Sequence, residues 1–313
     1  VSRLTEPLRA RLQETLSGQQ TGVPEWVREF ESGTDRGFFG PDSAVWAVHG
    51  GMPTLVAGIR ALLMQALHPG ALAGVYDRSR FREDPLGRLN GTIRWIFTVS
   101  YGDTTQAVAG SNWVKRLHEH VVGDYVDGHG RPARYAANDP HLSTWVHLAF
   151  TDAFLTAHER WGGRIPGGSD AYVEQWAKAG ELMGVPDPPR SRAELKAGLH
   201  GFADAGELRC DDRTREVVHF VRHAPVRRSL RPAYAVLFAG AVASLEPRFR
   251  DLLGLRMPRL GPVPLPVSSA TGVVLAAAGG LLGPQTAGEQ AALVRLGRLD
   301  RLDRLGRPDR MDG

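Results

Sequence analysis

The stretch PTLVAGIRALLMQALHPGALAGV, residues 53–75, is apolar on nearly every face of a helix, with Arg60, Gln65 and His68 as its interruptions. A helix that is hydrophobic all round belongs in an interior, so these residues predict the central helix of a helical core. Outward from it, apolar residues recur at three- and four-residue steps, and strand signals are scarce. Further helices are expected over residues 85–100 and 104–122, separated by Tyr101-Gly102-Asp103. Asp139-Pro140 opens another that Gly162-Gly163 stops, and residues 169–183 end at Gly184. Ser191 with Glu194 three residues on has capping-box spacing, and residues 232–253 read as the last core helix. The expected fold is all-α, with one helical domain over residues 21–257.

The flanks read differently. Residues 1–20 carry Leu4, Leu8 and Leu12 among Arg3, Glu6, Arg9 and Arg11, a short amphipathic helix and not an apolar signal core. A cytoplasmic location is expected from that. Residues 258–294 are a Pro-, Ala- and Gly-rich apolar extension. Its clean stretch, 267–282, falls short of the roughly 20 strongly apolar residues of a membrane span, so a buried or surface-docked helix is expected. Residues 295–313 form an Arg/Leu/Asp low-complexity segment. Its three-residue period does not hold one helical face over sixteen residues, which predicts a mobile tail.

Composition narrows the function classes. Hydrophobic residues at 42% and charged residues at 23% exclude a disordered or fibrous chain. A lone cysteine, Cys210, excludes a disulfide framework and cysteine-rich zinc or iron–sulfur sites. The net charge of +4 invites a nucleic-acid partner, but six arginines of residues 295–310 against Asp300, Asp303 and Asp309 supply +3 of it. The body has no basic motif with interleaved aromatics, so no nucleic-acid partner is expected. Peripheral contact with an anionic membrane surface is the use such a C-terminal extension would have.

Several familiar chemistries have no signature here. There is no phosphate loop ending in Gly-Lys-Ser/Thr, no Gly-x-Gly-x-x-Gly between strand and helix, and no Gly-x-Ser-x-Gly elbow. His118-Glu119-His120 lacks the zinc-protease spacing, because its second histidine falls at i+2. The Glu216–His219 pair is half of what a carboxylate-bridged di-iron site needs. What remains is eleven histidines, many in apolar surroundings. That resource suits a haem pocket, where one neutral imidazole on an apolar wall binds iron.

Helical phase sorts the histidines. His118 shares a face with Val114, Val121 and Val122, whereas His120 lines up with Trp113, Arg116 and Asp124. His147 and His158 lie three turns apart, about 16 Å, and cannot share an ion. His129 and His141 fall in polar, loop-like stretches, and His219 with His223 reads as structural. Pro69 removes the hydrogen bond to the Gln65 carbonyl, and the kink aims His68 off the regular helix surface. A satisfied core histidine is the structural alternative there. Arg88 and Thr92 lie on one stripe with Trp95 and Val99, and a buried guanidinium needs a partner. A haem propionate or a bound oxidant would serve; so would Glu83 or Asp84.

An ordered set of motifs resembles the MpaB and latex-clearing (rubber oxygenase) family. They are FGPDS at 39–43, LLMQALHP at 62–69, FREDPLGRLNGT at 81–92, Tyr101-Gly102, and His118 with Val121 and Gly123. YAANDP at 135–140, WVH at 145–147, LMGVP at 182–186, Arg231-Pro232 and the run from Phe249 to Leu255 continue the likeness, which covers residues 37–257. The resemblance implies a globin-like helical core, one b-type haem, and oxidative cleavage of isoprenoid double bonds with dioxygen. Position for position, it makes Arg88 and Thr92 the haem-pocket arginine and threonine, and His118 the axial iron ligand. Gly91 replaces the lysine that rubber oxygenases place before the threonine, and Ala71 and Leu72 stand near the place of their catalytic glutamate. A smaller apolar substrate is therefore expected in place of a polymer.

Together these lines lead to an expected oxygenase (oxidoreductase) that uses haem b and O2 on a hydrophobic, isoprenoid- or lipid-like small molecule. His118 would bind iron, its other nitrogen oriented by a carbonyl or carboxylate. Arg88 would hold a propionate or balance charge on the oxidant, with Thr92 hydrogen-bonding in the same pocket. His68 would be the distal acid–base group or second ligand. Two alternatives keep the fold. One binds non-haem iron through some of His68, His118, His147 and Asp152; the other is a haem or lipid carrier without catalysis.

Overall fold

The expected central helix is two helices. The computed structural model describes residues 23–78, 85–283 and 285–305, with Arg78, residues 85–90, Leu260 and Leu305 described for their backbone alone. After two short N-terminal elements, α1 (Glu25–Arg28) and α2 (Ala44–Gly50), the chain enters α3 (Thr54–Gln65) and then α4 (Pro69–Arg78). Between them, Leu67 N donates to Met64 O at 3.1 Å and His68 N to Gln65 O at 3.3 Å, so the turn tightens where Pro69 has no N–H to continue α3. His68 then stands at the N-cap of α4, its Nδ1 accepting from Gly70 N at 3.1 Å and Ala71 N at 3.4 Å. The Gln65 carbonyl takes a second donor, Trp145 Nε1, at 3.4 Å.

Helices α5 (Pro85–Tyr101) and α6 (Thr104–His118) follow, then α7 (Pro140–Trp161), α8 (Gly168–Leu182), α9 (Arg192–Asp204) and α10 (Asp212–Arg222). Asp139 caps α7 by accepting from His141 N and Leu142 N, with Pro140 in the first turn. Ser191 caps α9 by accepting from Glu194 N. The core sits where α3 packs on α7 and on α11 (Arg231–Ser244), around buried Val56, Leu63, Met64, Trp145, Leu148 and Ala241. The fold is all-α, as expected, and forms one domain.

Arg60, fully inside this core at 1% exposure, is the costliest group in the central helix. Its guanidinium is ion-paired to Asp152 of α7 and donates to the Ser244 carbonyl at the end of α11. One side chain thus ties three helices, which is how a charged residue is tolerated in an all-apolar helix.

Three further boundaries differ from expectation. Helix α6 stops at His118, and the chain turns into an antiparallel hairpin, β1 (Val122–Val126) with β2 (Pro132–Ala136), in the register Val122↔Ala136 to Val126↔Pro132. Val122-Gly123-Asp124-Tyr125-Val126 alternates along a strand, and Asp127 accepts the His129 and Arg131 amides to close the turn. The hairpin lies on α4, with Tyr125 against Gly70 and Val121 and Tyr135 against Gly74. The expected helix over 232–253 is broken at Pro247, which opens α12 (Pro247–Leu252).

The third difference is at the C-terminus. A short hairpin, β3 (Arg259–Leu260) with β4 (Val263–Pro264), leads into α13 (Val267–Leu282), which docks on α11. There Thr271 is fully buried against Gly240, where a Cβ would come within 2.5 Å of Thr271 Oγ1. Residues 287–305 are a helix, α14 (Ala287–Leu305), and not the start of a mobile tail. A period of three is close enough to 3.6 to keep Ala292, Arg295 and Leu296 inward for a few turns, and the drift leaves residues 301–304 exposed. Arg295 donates to the Phe30 carbonyl and Arg298 to those of Glu31 and Gly33, so these two tail cations face the protein and not an outside partner. The amphipathic helix expected over 1–20 and the segment 306–313 lie outside the described residues. Among the described residues, no single helix is long and apolar enough to cross a membrane.

Candidate functional site

Helices α5 and α6 are joined by Gly102-Asp103, and Asp103 and Gln106 form a reciprocal capping box that fixes the turn. Trp95 Nε1 donates to Ser111 Oγ at 3.1 Å, and Thr98 packs on Gly110. These pairings run in opposite directions along the two helices, so the pair is antiparallel. Arg88 and Thr92 at the start of α5 are therefore brought to the end of the pair where α6 finishes at His118. Along α5, burial rises from exposed Thr92 through half-buried Trp95 to buried Val99. His118 is half-buried on the last residue of α6, and His120 beyond it is exposed. The Arg88 side chain lies outside the described residues, as do Glu83 and Asp84. A Cβ added at Gly91 meets nothing within 4 Å among the described residues.

His68 belongs to a different neighbourhood. Its ring is 3% exposed and lies among Trp145 and His141 of α7 and Phe202 of α9, with ring centroids 6.2, 6.3 and 5.9 Å away. Its Nε2 is 3.6 Å from Glu207 Oε2, and the same oxygen is 2.6 Å from His141 Nε2. Burial pushes the His68 imidazole down to about 4, with Glu207 opposing the shift and His141 adding to it. The ring is neutral at pH 7, and because two backbone amides donate to Nδ1, its proton belongs on Nε2, toward Glu207. His141, placed on the surface by its sequence surroundings, is 58% exposed yet completes this cluster, and sequence reading gave no signal for Glu207.

The remaining iron-ligand candidates do not converge. Asp152 is taken up by Arg60. His147 is buried against Gly180 with its Nε2 lacking a hydrogen-bond partner, and burial lowers it to about 4. The set His68, His118, His147 and Asp152 is thus not a ligand shell. Among the described residues, His68, His141 and Glu207 are the group whose ligand atoms all lie within 4.8 Å of one another. His49, fully buried, bridges Ser100 and Tyr172, while the rings of exposed His219 and His223 lie 4.3 Å apart at a tilt. A cavity of about 530 Å³ opens at the other end of α5, between Trp46, Met52, Trp161, Leu275 and Glu289.

Comparison with known families gives a match over residues 46–277, from α2 into α13, to the family described as ER-bound oxygenase mpaB/B'/Rubber oxygenase, catalytic domain. The match covers both clusters and extends past residue 257, where the sequence alone places the domain end. No curated protein and no solved structure matches the chain.

Proposed function

Because the chain belongs to the mpaB/rubber oxygenase catalytic-domain family, whose reaction uses dioxygen, we propose that it is a b-haem oxygenase acting on a hydrophobic small molecule. The observation that carries this reading is the antiparallel pairing of α5 and α6, which gathers Arg88, Thr92 and His118 at one end of one helix pair. The chemistry of the donor set suits the group: an imidazole for iron, a guanidinium for a propionate, and a hydroxyl.

Haem, when bound, supplies the redox chemistry of dioxygen use. The protein's part is positioning. His118 would offer one ring nitrogen to the iron, and an acceptor on its other N–H would fix the ring's orientation. Arg88 would hold a propionate through a charge-assisted pair, and Thr92 would hydrogen-bond one turn further along the helix.

The ligand assignment is tested with His118→Ala. The variant is expected to keep the far-UV spectrum of the parent but lose the Soret band and oxygen consumption with substrate. Full haem content with an unchanged Soret band would remove His118 from the role. The proposal also places the protein on a membrane surface while it acts. Val263, Leu265, Val273 and Leu302 are exposed on the C-terminal elements, alongside exposed Arg301 and Arg304. Val273→Asp with Leu302→Asp is expected to abolish binding to anionic vesicles, and undiminished binding would contradict it.

A further inference from the structure

The His68–His141–Glu207 cluster contains the residue that the sequence makes the distal group, and the partners the structure gives it are His141 and Glu207. Its three members come from distant points of the chain: the α3–α4 turn, the first turn of α7, and the segment after α9. A shared carboxylate oxygen, 3.6 Å from one imidazole nitrogen and 2.6 Å from the other, is a contraction away from a common ligand sphere. Two imidazoles and one carboxylate are the donor set of open Zn²⁺ and Fe²⁺ sites, where three protein ligands leave positions for water or a reactant.

The walls and the mouth are suited to this. Phe202 lies against both imidazoles, with centroids 5.9 Å from His68 and 4.6 Å from His141, and Trp145 covers His68 from another side. His68 is closed off while His141 is 58% exposed, so an ion has an entry path from one direction. Burial raises the phenol of Tyr125, and Asp127, Glu207 and Asp139 raise it further, so all three carboxylates lie near that ring. We propose that His68, His141 and Glu207 bind one divalent transition-metal ion, with its remaining positions facing solvent on the His141 side.

Binding at Nε2 has a structural consequence. In the metal-free protein the His68 proton sits on Nε2 and Nδ1 caps α4 through Gly70 and Ala71. Coordination needs the Nε2 lone pair, so the proton moves to Nδ1 and the two amides lose their acceptor. Losing a helix cap costs on the order of tenfold in affinity, which three good ligands outweigh. Metal occupancy is thereby coupled to the first turn of α4.

The test uses the full chain, produced without haem precursor, stripped with chelator and titrated with Co²⁺ and then Zn²⁺. One Co²⁺ per chain is expected, with visible ligand-field absorption that Zn²⁺ displaces. The Gly70 and Ala71 amides should show chemical-shift changes with diamagnetic Zn²⁺. His141→Ala, at a 58% exposed position, and Glu207→Gln should each weaken binding by more than the roughly 10–100-fold that loss of a supporting partner costs. His118→Ala should leave metal binding unchanged, which separates this proposal from the haem reading. No binding of either ion, or binding indifferent to both cluster variants, would overturn it.

Discussion

Arg60→Ala is expected to destabilise the protein by about 3–5 kcal/mol, because it strips the counter-charge from a buried ion pair and leaves Asp152 uncompensated. A domain of ordinary stability has roughly 5–15 kcal/mol in total, so the variant should be largely unfolded under mild denaturant. The size follows from position. Arg60 is 1% exposed, and its guanidinium serves α7 through Asp152 and the end of α11 through the Ser244 carbonyl. Asp152→Ala should do comparable harm by leaving the cation alone. The double variant Arg60→Met with Asp152→Leu should recover much of the loss, since an apolar pair of similar volume needs no desolvation of charge. Equilibrium denaturation of the three proteins checks this, and a double variant as unstable as the sum of the singles would contradict it.

Acidification should have an effect of similar size. Burial lowers His49 to about 3 and His147 to about 4, and burial with the neighbouring His141 lowers His68 to about 4. In the unfolded chain each titrates near 6.5, so below that pH the unfolded state binds protons that the folded state refuses. The stabilisation from these groups is present above about pH 6.5 and is lost as pH falls toward their folded values. Each contributes a slope of about 1.4 kcal/mol per pH unit, and three together about 4 kcal/mol per unit. Urea denaturation at pH 7, 6 and 5.5 should show midpoints falling steeply, and His147→Leu should flatten the slope by about a third. A stability that does not change from pH 7 to 5.5 would refute the assignment.

How much of this was legible in the sequence follows from what each signal measures. Residues 53–65 announced a buried helix through periodicity alone, and Asp139-Pro140 and Ser191 marked helix starts by local capping chemistry. Pro69 was visible as an irregularity, but a kink and a full break differ by whether neighbouring elements satisfy the freed carbonyl, and Trp145 lies 80 residues away. The helicity of residues 287–305 was missed for a related reason. Amphipathic phase cannot show that buried Arg295 and half-buried Arg298 have backbone carbonyls at Phe30 and Gly33 waiting for them. The proposed α5–α6 end draws on sequence alone, because Arg88, Thr92 and His118 sit on consecutive helices. The His68–His141–Glu207 cluster was not legible, since only the tertiary fold brings residue 207 beside residue 68.

The family and its dioxygen chemistry lead to one direct measurement on the intact protein, the absorption spectrum of the full chain purified from cells supplied with a haem precursor. The account predicts a red protein with one b-type haem per chain and a Soret band that shifts when a competing haem ligand is added. A colourless protein that nonetheless consumes oxygen with an apolar substrate would contradict it.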